Sequence, residues 1–474
     1  MKRVKDLTIG CAFMLFASVS TASAFVQYPY DIDNEPQCWT NWVALGGVTC
    51  PSGQARGAED VDWNNDGIYD APATRQLPYP NPPYLTTAKP GATYKHLSAG
   101  DGMAKMADGT DMYIFSFSNL TNIKYADTME AGSFHAEISA PTIDITEGQD
   151  FYLTLSNVGM VLRPDLFDPH TVHFHGYPNA ASVFDGEPMA SFGIRMMQDL
   201  TYFYAPYGPV YQTLAAGVPS DCIDPGSAGT YMYHCHVEAT EHMEMGMLGN
   251  NIIRPSQDGT SVTYASDGKT YTKFAYNDCL STTATDPLCG STGYNVEKII
   301  QYTAFDPVFH QADMDAQPPP FSTITPAYFL LNGRGYPDTV SPTAITNING
   351  YASQKLDAKV TATSGDTILL RLSNLSIKEF TTIEAPGLTF NVVALCARQL
   401  RNPGPDGFYG TADDKDLSYS ANSVMVGPGE SADVLIRTVG VPTGTYYLLS
   451  RNLDQLNNNG VERGGAMTEI VINP

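Results

Sequence analysis

The sequence predicts an all-β protein of two Greek-key β-sandwich domains behind an irregular N-terminal extension. Short alternating apolar runs recur between turn residues: MYIFSFS (112–118), FYLTLSN (151–157), TILLRLSN (367–374), DVLIRTV (433–439) and TYYLLS (445–450). No long stretch carries helical periodicity, whereas 41 Gly and 33 Pro punctuate the chain. The third observation is an internal repeat. IDITEGQDFYLTLSN (143–157) matches VTATSGDTILLRLSN (360–374), with Gly148 against Gly365 and Asn157 against Asn374. SAGTYMYHCH matches VPTGTYYLLSR with Gly229 on Gly444, and HTVHFH (170–175) has a counterpart in FTTIEA (380–385).

Taken in chain order, Lys2, Arg3 and Lys5 precede the apolar run LTIGCAFMLFASV and then Ala22-Ser23-Ala24. This is the pattern of a secretory signal peptide cleaved after Ala24, and the run is too short to span a bilayer. Residues 25–108, rich in Pro, Gly and Asn, read as the extension. Residues 109–256 form the first sandwich, 257–300 a connector, and 301–474 the second sandwich. The expected location is secreted, periplasmic or extracellular.

The chain has 26 basic and 50 acidic residues, a net charge of −24, which becomes −26 without residues 1–24. Such a charge opposes nucleic acid and anionic lipid, so cations or basic proteins suit it better as partners. No P-loop, dinucleotide fingerprint or nucleophile elbow occurs.

Only nine histidines are present, and six lie in DPHTVHFHG (168–176) and YMYHCHVEATEHMEMGM (231–247). Alternation on a strand sends His173 and His175 to one face and His170 to the other. Likewise His234 and His236 share a face opposite Cys235. If the strands pair, one side collects His170, Cys235, His242 and Met247. Two imidazoles, a thiolate and a thioether are the ligands of a blue-copper electron-transfer site. The other side collects His173, His175, His234 and His236, an imidazole-only set that suits Cu, Zn, Fe or Ni. Zinc would more often show paired Cys, and no C-x-x-C occurs. The second copy folds from similar strands yet carries Leu449, Ser450 and Arg451 opposite His234, Cys235 and His236. Structure alone therefore does not demand the His and Cys residues. Met243 and Met245 read as packing residues, with Cu(I) binding the less favoured alternative.

HTVHFHG and HCH-x₅-H-x₃-GM resemble the copper motifs of the multicopper oxidases and the related copper nitrite reductases. APTIDITEGQDFYLTLSN, YFLLNGRGYPDT and VMVGPGESADVLI resemble their supporting strands. The likeness covers roughly residues 110–256 and 300–474 and implies cupredoxin-like sandwiches. It implies His170, Cys235, His242 and Met247 as type 1 copper ligands. His173, His175, His234 and His236 become ligands of a second copper site, the oxygen-reducing cluster of the family. Two departures stand out. The usual spacing is HCH-x₃-H, so a small insertion lies in the ligand loop. A complete oxidase set needs ten histidines, and this chain has nine. His96, His135 and His310 fall outside the motifs. The nitrite reductases carry an acidic residue where His173 stands and lack the second flanking His; a third ligand donated by His310 is the less favoured reading.

With Cys235 on copper, six cysteines remain in the exported chain, an even number suited to an oxidising compartment. Cys38–Cys50 and Cys279–Cys289 read as short-loop disulfides, which leaves Cys222 to Cys396. DWNNDGIYD offers Asp62, Asn64, Asp66 and Asp70 before and after a turn Gly, as a calcium loop or an Asx-rich turn. The twelfth-position carboxylate is absent, since Ala73 stands there. GPDGFYGTADDKD (404–416) reads as an acidic turn rather than a calcium loop.

These residues describe a secreted copper oxidoreductase of multicopper oxidase type. A small-molecule or metal-ion reductant, or a redox protein, feeds electrons through the type 1 copper to the second site. A homo-oligomer is compatible with this reading. The rivals are a non-enzymatic electron carrier or copper-binding protein with an incomplete cluster, and a half-site completed by another protein's histidines.

Overall fold

A computed structural model describes residues 91–123, 127–178, 181–213, 219–281 and 286–474. The expected signal peptide, the expected Cys38–Cys50 pairing and the stretch of Asp62, Asn64, Asp66 and Asp70 lie outside the described residues. No helix among the described residues is long and apolar enough to cross a membrane.

The first sandwich has strands β1 (Thr93–Lys105), β2 (Asp111–Asn119), β3 (Ala140–Thr146), β4 (Phe151–Gly159), β5 (His173–His175), β6 (Asp199–Tyr204), β7 (Gly229–His234) and β8 (Leu248–Arg254). One sheet runs β2-β1-β4-β6 and the facing sheet β3-β8-β7-β5. Strand β1 lies inside the stretch expected to be irregular, so the sandwich begins before residue 109. Its Gly100 and Gly102 mask the alternation. A side chain at Gly100 would meet Val158 at 2.8 Å, and one at Gly102 would meet Ala136 at 2.9 Å. Glycine here marks close approach of neighbouring chain rather than a turn.

The second sandwich repeats the plan with β9 (Val296–Phe305), β10 (Tyr328–Leu331), β11 (Val360–Thr363), β12 (Thr367–Asn374), β13 (Thr381–Glu384), β14 (Phe390–Leu395), β15 (Ser423–Val426), β16 (Ser431–Arg437), β17 (Gly444–Ser450) and β18 (Met467–Asn473). Its sheets run β10-β9-β12-β16-β14, extended by short strands, and β11-β18-β17-β13-β15. Strand β9 starts five residues before the expected boundary at 301. Parallel β1–β4 recurs as β9–β12, and parallel β3–β8 recurs as β11–β18.

The registers refine the repeat. Gly229 faces Ile253 as Gly444 faces Ile472, which supports the β7–β17 alignment. His173 pairs with His234, but Leu449 pairs with Glu384. The counterpart of HTVHFH is therefore TTIEAP (381–386), one residue beyond the expected FTTIEA. The two asparagines explain the offset. Asn157 Nδ2 donates to the carbonyls of Asp168 and Ile194, and Asn374 Nδ2 donates to those of Glu379 and Val426.

Each sandwich closes its own core. Phe117, Leu153, Phe174 and Tyr233 belong to the first, and Leu370, Phe390, Val434 and Leu448 to the second. The sandwiches meet where β7 lies against β12 and β16. Arg371 Nη1 donates to Thr230 Oγ1 at 3.1 Å, and Ser431 Oγ donates to the Thr230 carbonyl at 2.7 Å. Arg371 is fully buried and pairs with Glu297 at 2.5 Å, so its charge is compensated inside the interface.

Cys279 and Cys289 form a disulfide, whereas Cys222 and Cys396 are free thiols, contrary to the pairing expected from the count. Cys222 is buried, its S–H donates to the Asp224 carbonyl, and burial pushes it up to about 11. Cys396 is exposed on a left-handed turn (φ 48°) after β14. In the 404–416 loop, Arg401 binds Asp414 through Nε at 2.6 Å and Asp286 through Nη2 at 2.7 Å. A guanidinium is the cation of that acidic turn.

Candidate metal centres

The ligand strands meet at one end of the first sandwich. Strands β5 and β7 pair antiparallel with His173 opposite His234 and His175 opposite Met232. Cys235 follows β7 directly, and its N–H donates to the Met247 carbonyl at 3.1 Å. Between them the chain turns at Glu238 (φ 44°) into a short helix, α1 (Ala239–Glu244), which carries His242. The expected insertion is thus a helical turn. The Met247 N–H donates to the His242 carbonyl at 2.8 Å and closes the loop.

His170, Cys235 and His242 form one cluster, with ligand atoms within 4.8 Å of one another. Cys235 Sγ lies 3.2 Å from His242 Nδ1 and 3.9 Å from His170 Nδ1. Two ligands held at about 2.0–2.3 Å from one ion in a trigonal plane sit roughly 3.6 Å apart, and the two distances straddle that value. All three side chains and Met247 are buried. The Thr171 N–H points at Cys235 Sγ from 3.4 Å, a donor suited to a thiolate. Burial holds His170 well below the ordinary histidine range. Burial also pulls on His242, but Cys235 and Asp168 outweigh it and carry it up to about 10. Asp168 Oδ2 lies 3.9 Å from His242 Nε2, the ring nitrogen turned away from the sulfur. The donor set fits copper.

His173, His175 and His234 form the second cluster. His175 Nδ1 lies 3.3 Å from His234 Nε2, the separation expected of two imidazoles about 2.0 Å from one metal. Their other nitrogens are engaged. His173 Nδ1 sits 2.7 Å from the Asp185 carbonyl, and His234 Nδ1 sits 2.8 Å from the Cys235 carbonyl. Such partners fix tautomer and ring orientation. Burial lowers all three, His234 to about 3, so the neutral, metal-binding form prevails at neutral pH. The His236 ring lies beside them, 5.0 Å from His173 and 5.5 Å from His234 between centroids, but outside the set of three whose ligand atoms converge.

The remaining histidines join neither cluster. His96 Nε2 meets Ser156 Oγ, and His135 stacks on Tyr351. His310 is buried with Nδ1 on the Tyr113 carbonyl, so it is not on the surface to be donated. In the second copy, register puts Thr381, Ser450 and Ala466 in the places of His170, Cys235 and Met247. The Ser450 N–H donates to the Ala466 carbonyl as that of Cys235 does to Met247. Ser450 Oγ bonds Gln455 Oε1 at 2.7 Å and receives Thr381 Oγ1 at 3.3 Å. Hydrogen bonds occupy the place of a metal centre.

Sequence reading does not find Asp168, Asp185 or Gly429 beside these rings. Asp185 is 12 residues from His173, and Gly429 approaches His175 from the other sandwich. No local spacing announces either.

Family models described as multicopper oxidase match residues 115–257 and 304–470, together well over half of the chain. Among solved structures, the multicopper oxidase mgLAC aligns at 18% identity and TM-score 0.52, over 80% of this chain and 86% of that one. The blue copper oxidase of Nitrosomonas europaea aligns at 18% identity and TM-score 0.51, over the same shares. A copper nitrite reductase of Thermus scotoductus aligns at 14% identity and TM-score 0.47, over 81% of this chain and 62% of that one. No curated protein matches the sequence.

Proposed function

The chain belongs to the multicopper oxidase family of copper oxidoreductases, built on cupredoxin domains, and from that premise we propose that it relays single electrons between two copper sites in its first domain. His170, Cys235, His242 and Met247 hold a type 1 copper. His173, His175 and His234, with His236 beside them, hold a second. Copper at these sites supplies one-electron chemistry.

The chain's own residues set the route. From Cys235 Sγ the path runs through Cβ, Cα and the carbonyl carbon to the carbonyl oxygen, which receives His234 Nδ1–H at 2.8 Å. His234 Nε2 then faces the second site. This short bridge is the observation that carries the proposal. Burial of His170, Cys235 and His242 keeps water from the thiolate. The Thr171 N–H, aimed at the sulfur, stabilises its negative charge.

The second domain is read as copper-free, on Thr381, Ser450 and Ala466. Export is supported by the Ala22-Ser23-Ala24 motif and the Cys279–Cys289 disulfide. The reductant is a small molecule, a metal ion or a redox protein, and the acceptor is oxygen or a nitrogen oxide. The second reading, an electron carrier with an incomplete cluster, is favoured by the absence of histidines opposite the three converging rings among the described residues. Steady-state oxygen or nitrite consumption by copper-loaded protein separates the two. Turnover supports the enzyme, and stoichiometric oxidation without turnover supports the carrier.

A further inference from the structure

We propose that Gly429 of the second domain is a positioning residue for the second copper site, backing the His175 ring so closely that any side chain there displaces the ring. This rests on the second-site reading above. His175 turns Nδ1 toward His234, so Nε2 faces away from the cluster. There the ring meets Gly429 of the second sandwich. A Cβ at Gly429 would sit 3.1 Å from Nε2 and 3.2 Å from Cε1, closer than ordinary van der Waals contact. His173 and His234 are oriented by carbonyls of their own domain, and His175 is backed by Gly429 of the other.

The platform under Gly429 is stiff. Its N–H donates to the Asn374 carbonyl at 2.9 Å, and the Asn374 N–H donates to Glu430 at 3.1 Å. Gly427 N–H donates to Glu430 Oε2 at 2.8 Å. Asn374 is in turn fastened to Glu379 and Val426 through its side chain.

The repeat separates two reasons for a glycine. Gly429 has φ 77°, which by itself favours glycine. The same turn occurs in the first sandwich, where the Met197 N–H donates to the Asn157 carbonyl at 2.8 Å. Met197 holds φ 66° with a full side chain, which is largely exposed. This turn therefore accepts a left-handed residue other than glycine. What distinguishes position 429 is the imidazole above it. The second domain has no histidine for the site, yet it supplies the surface against which one ligand is set.

The test compares full-length wild type, Gly429→Ala and Gly440→Ala. Gly440 has φ 76° and nothing within 4 Å of a Cβ, so its substitution imposes the backbone strain without the contact. Copper is titrated against a competing chelator, and type 1 and non-blue signals are followed by absorption and electron paramagnetic resonance. Gly429→Ala is expected to keep the blue copper and bind the second copper about 10–100-fold more weakly, because the added methyl pushes the His175 ring off its set orientation, with an effect on the order of that from disturbing an outer partner. Gly440→Ala is expected to match wild type. Unchanged second-site affinity in Gly429→Ala overturns the proposal. So does loss of the blue copper, which would signal general damage. Wild type binding a single copper would instead remove the second site itself, and the role of Gly429 with it.

Discussion

Glu244 sits in the ligand loop two residues after His242, with its carboxyl buried in the interior. One oxygen accepts the Asp306 N–H at 2.6 Å; the other has no hydrogen-bond partner. Burial pushes the carboxyl up to about 8, and the nearby Asp306 charge adds to this. A carboxyl raised in the folded state contributes stability that is complete below its unfolded value of about 4.5 and is lost as pH rises through 8. A tenfold difference in proton affinity between the folded and unfolded chain is worth about 1.4 kcal/mol. Between pH 5.5 and 8 the unfolded chain releases this proton and the folded chain largely keeps it, so wild type should lose about 3 kcal/mol from this group. Glu244→Gln keeps the acceptor for Asp306 and removes the titration. Urea unfolding of copper-free wild type and Glu244→Gln should be compared across that range. The histidines cancel in the difference, because both proteins carry them. The variant should gain steadily on wild type as pH rises. A difference that stays flat within about 0.5 kcal/mol would refute the assignment of a neutral Glu244 at pH 7.

Cys235→Ser should fold with wild-type circular dichroism and lose the intense absorption near about 600 nm expected of a His₂Cys copper, because the thiolate donor is gone. A copper-loaded wild type without that colour would defeat the type 1 assignment. His173→Ala combined with His175→Ala should remove the second copper and leave the blue one, since neither ring reaches Cys235; metal analysis showing both coppers retained would exclude these ligands.

The sandwiches are legible in the sequence because alternation and turn residues report on one strand at a time. So is the gathering of His170, Cys235 and His242 into one cluster and of His173, His175 and His234 into another, since neighbouring strands turn alternate residues to opposite faces. What sequence misses is non-local. Strand β1 is hidden because Gly100 and Gly102 answer to Val158 and Ala136, neither of them a sequence neighbour. The repeat aligns one residue off at Thr381 because the similarity there is weak, and strand pairing together with the Asn157 and Asn374 hydrogen bonds fixes it. Pairing Cys222 with Cys396 rests on counting, which says nothing about where the two sulfurs point. Spacing finds His242, but not that the added residues coil into α1. The partners of the rings, Asp185 and Gly429, carry no motif at all.

The most direct test is copper stoichiometry per chain on metal-saturated wild type, measured together with electron paramagnetic resonance and absorption. Three converging imidazoles beside one His₂Cys site predict two coppers per chain, one giving a type 1 signal and blue colour and one giving neither. Four coppers per chain with rapid reduction of oxygen to water, or a colourless copper-loaded protein, would contradict it.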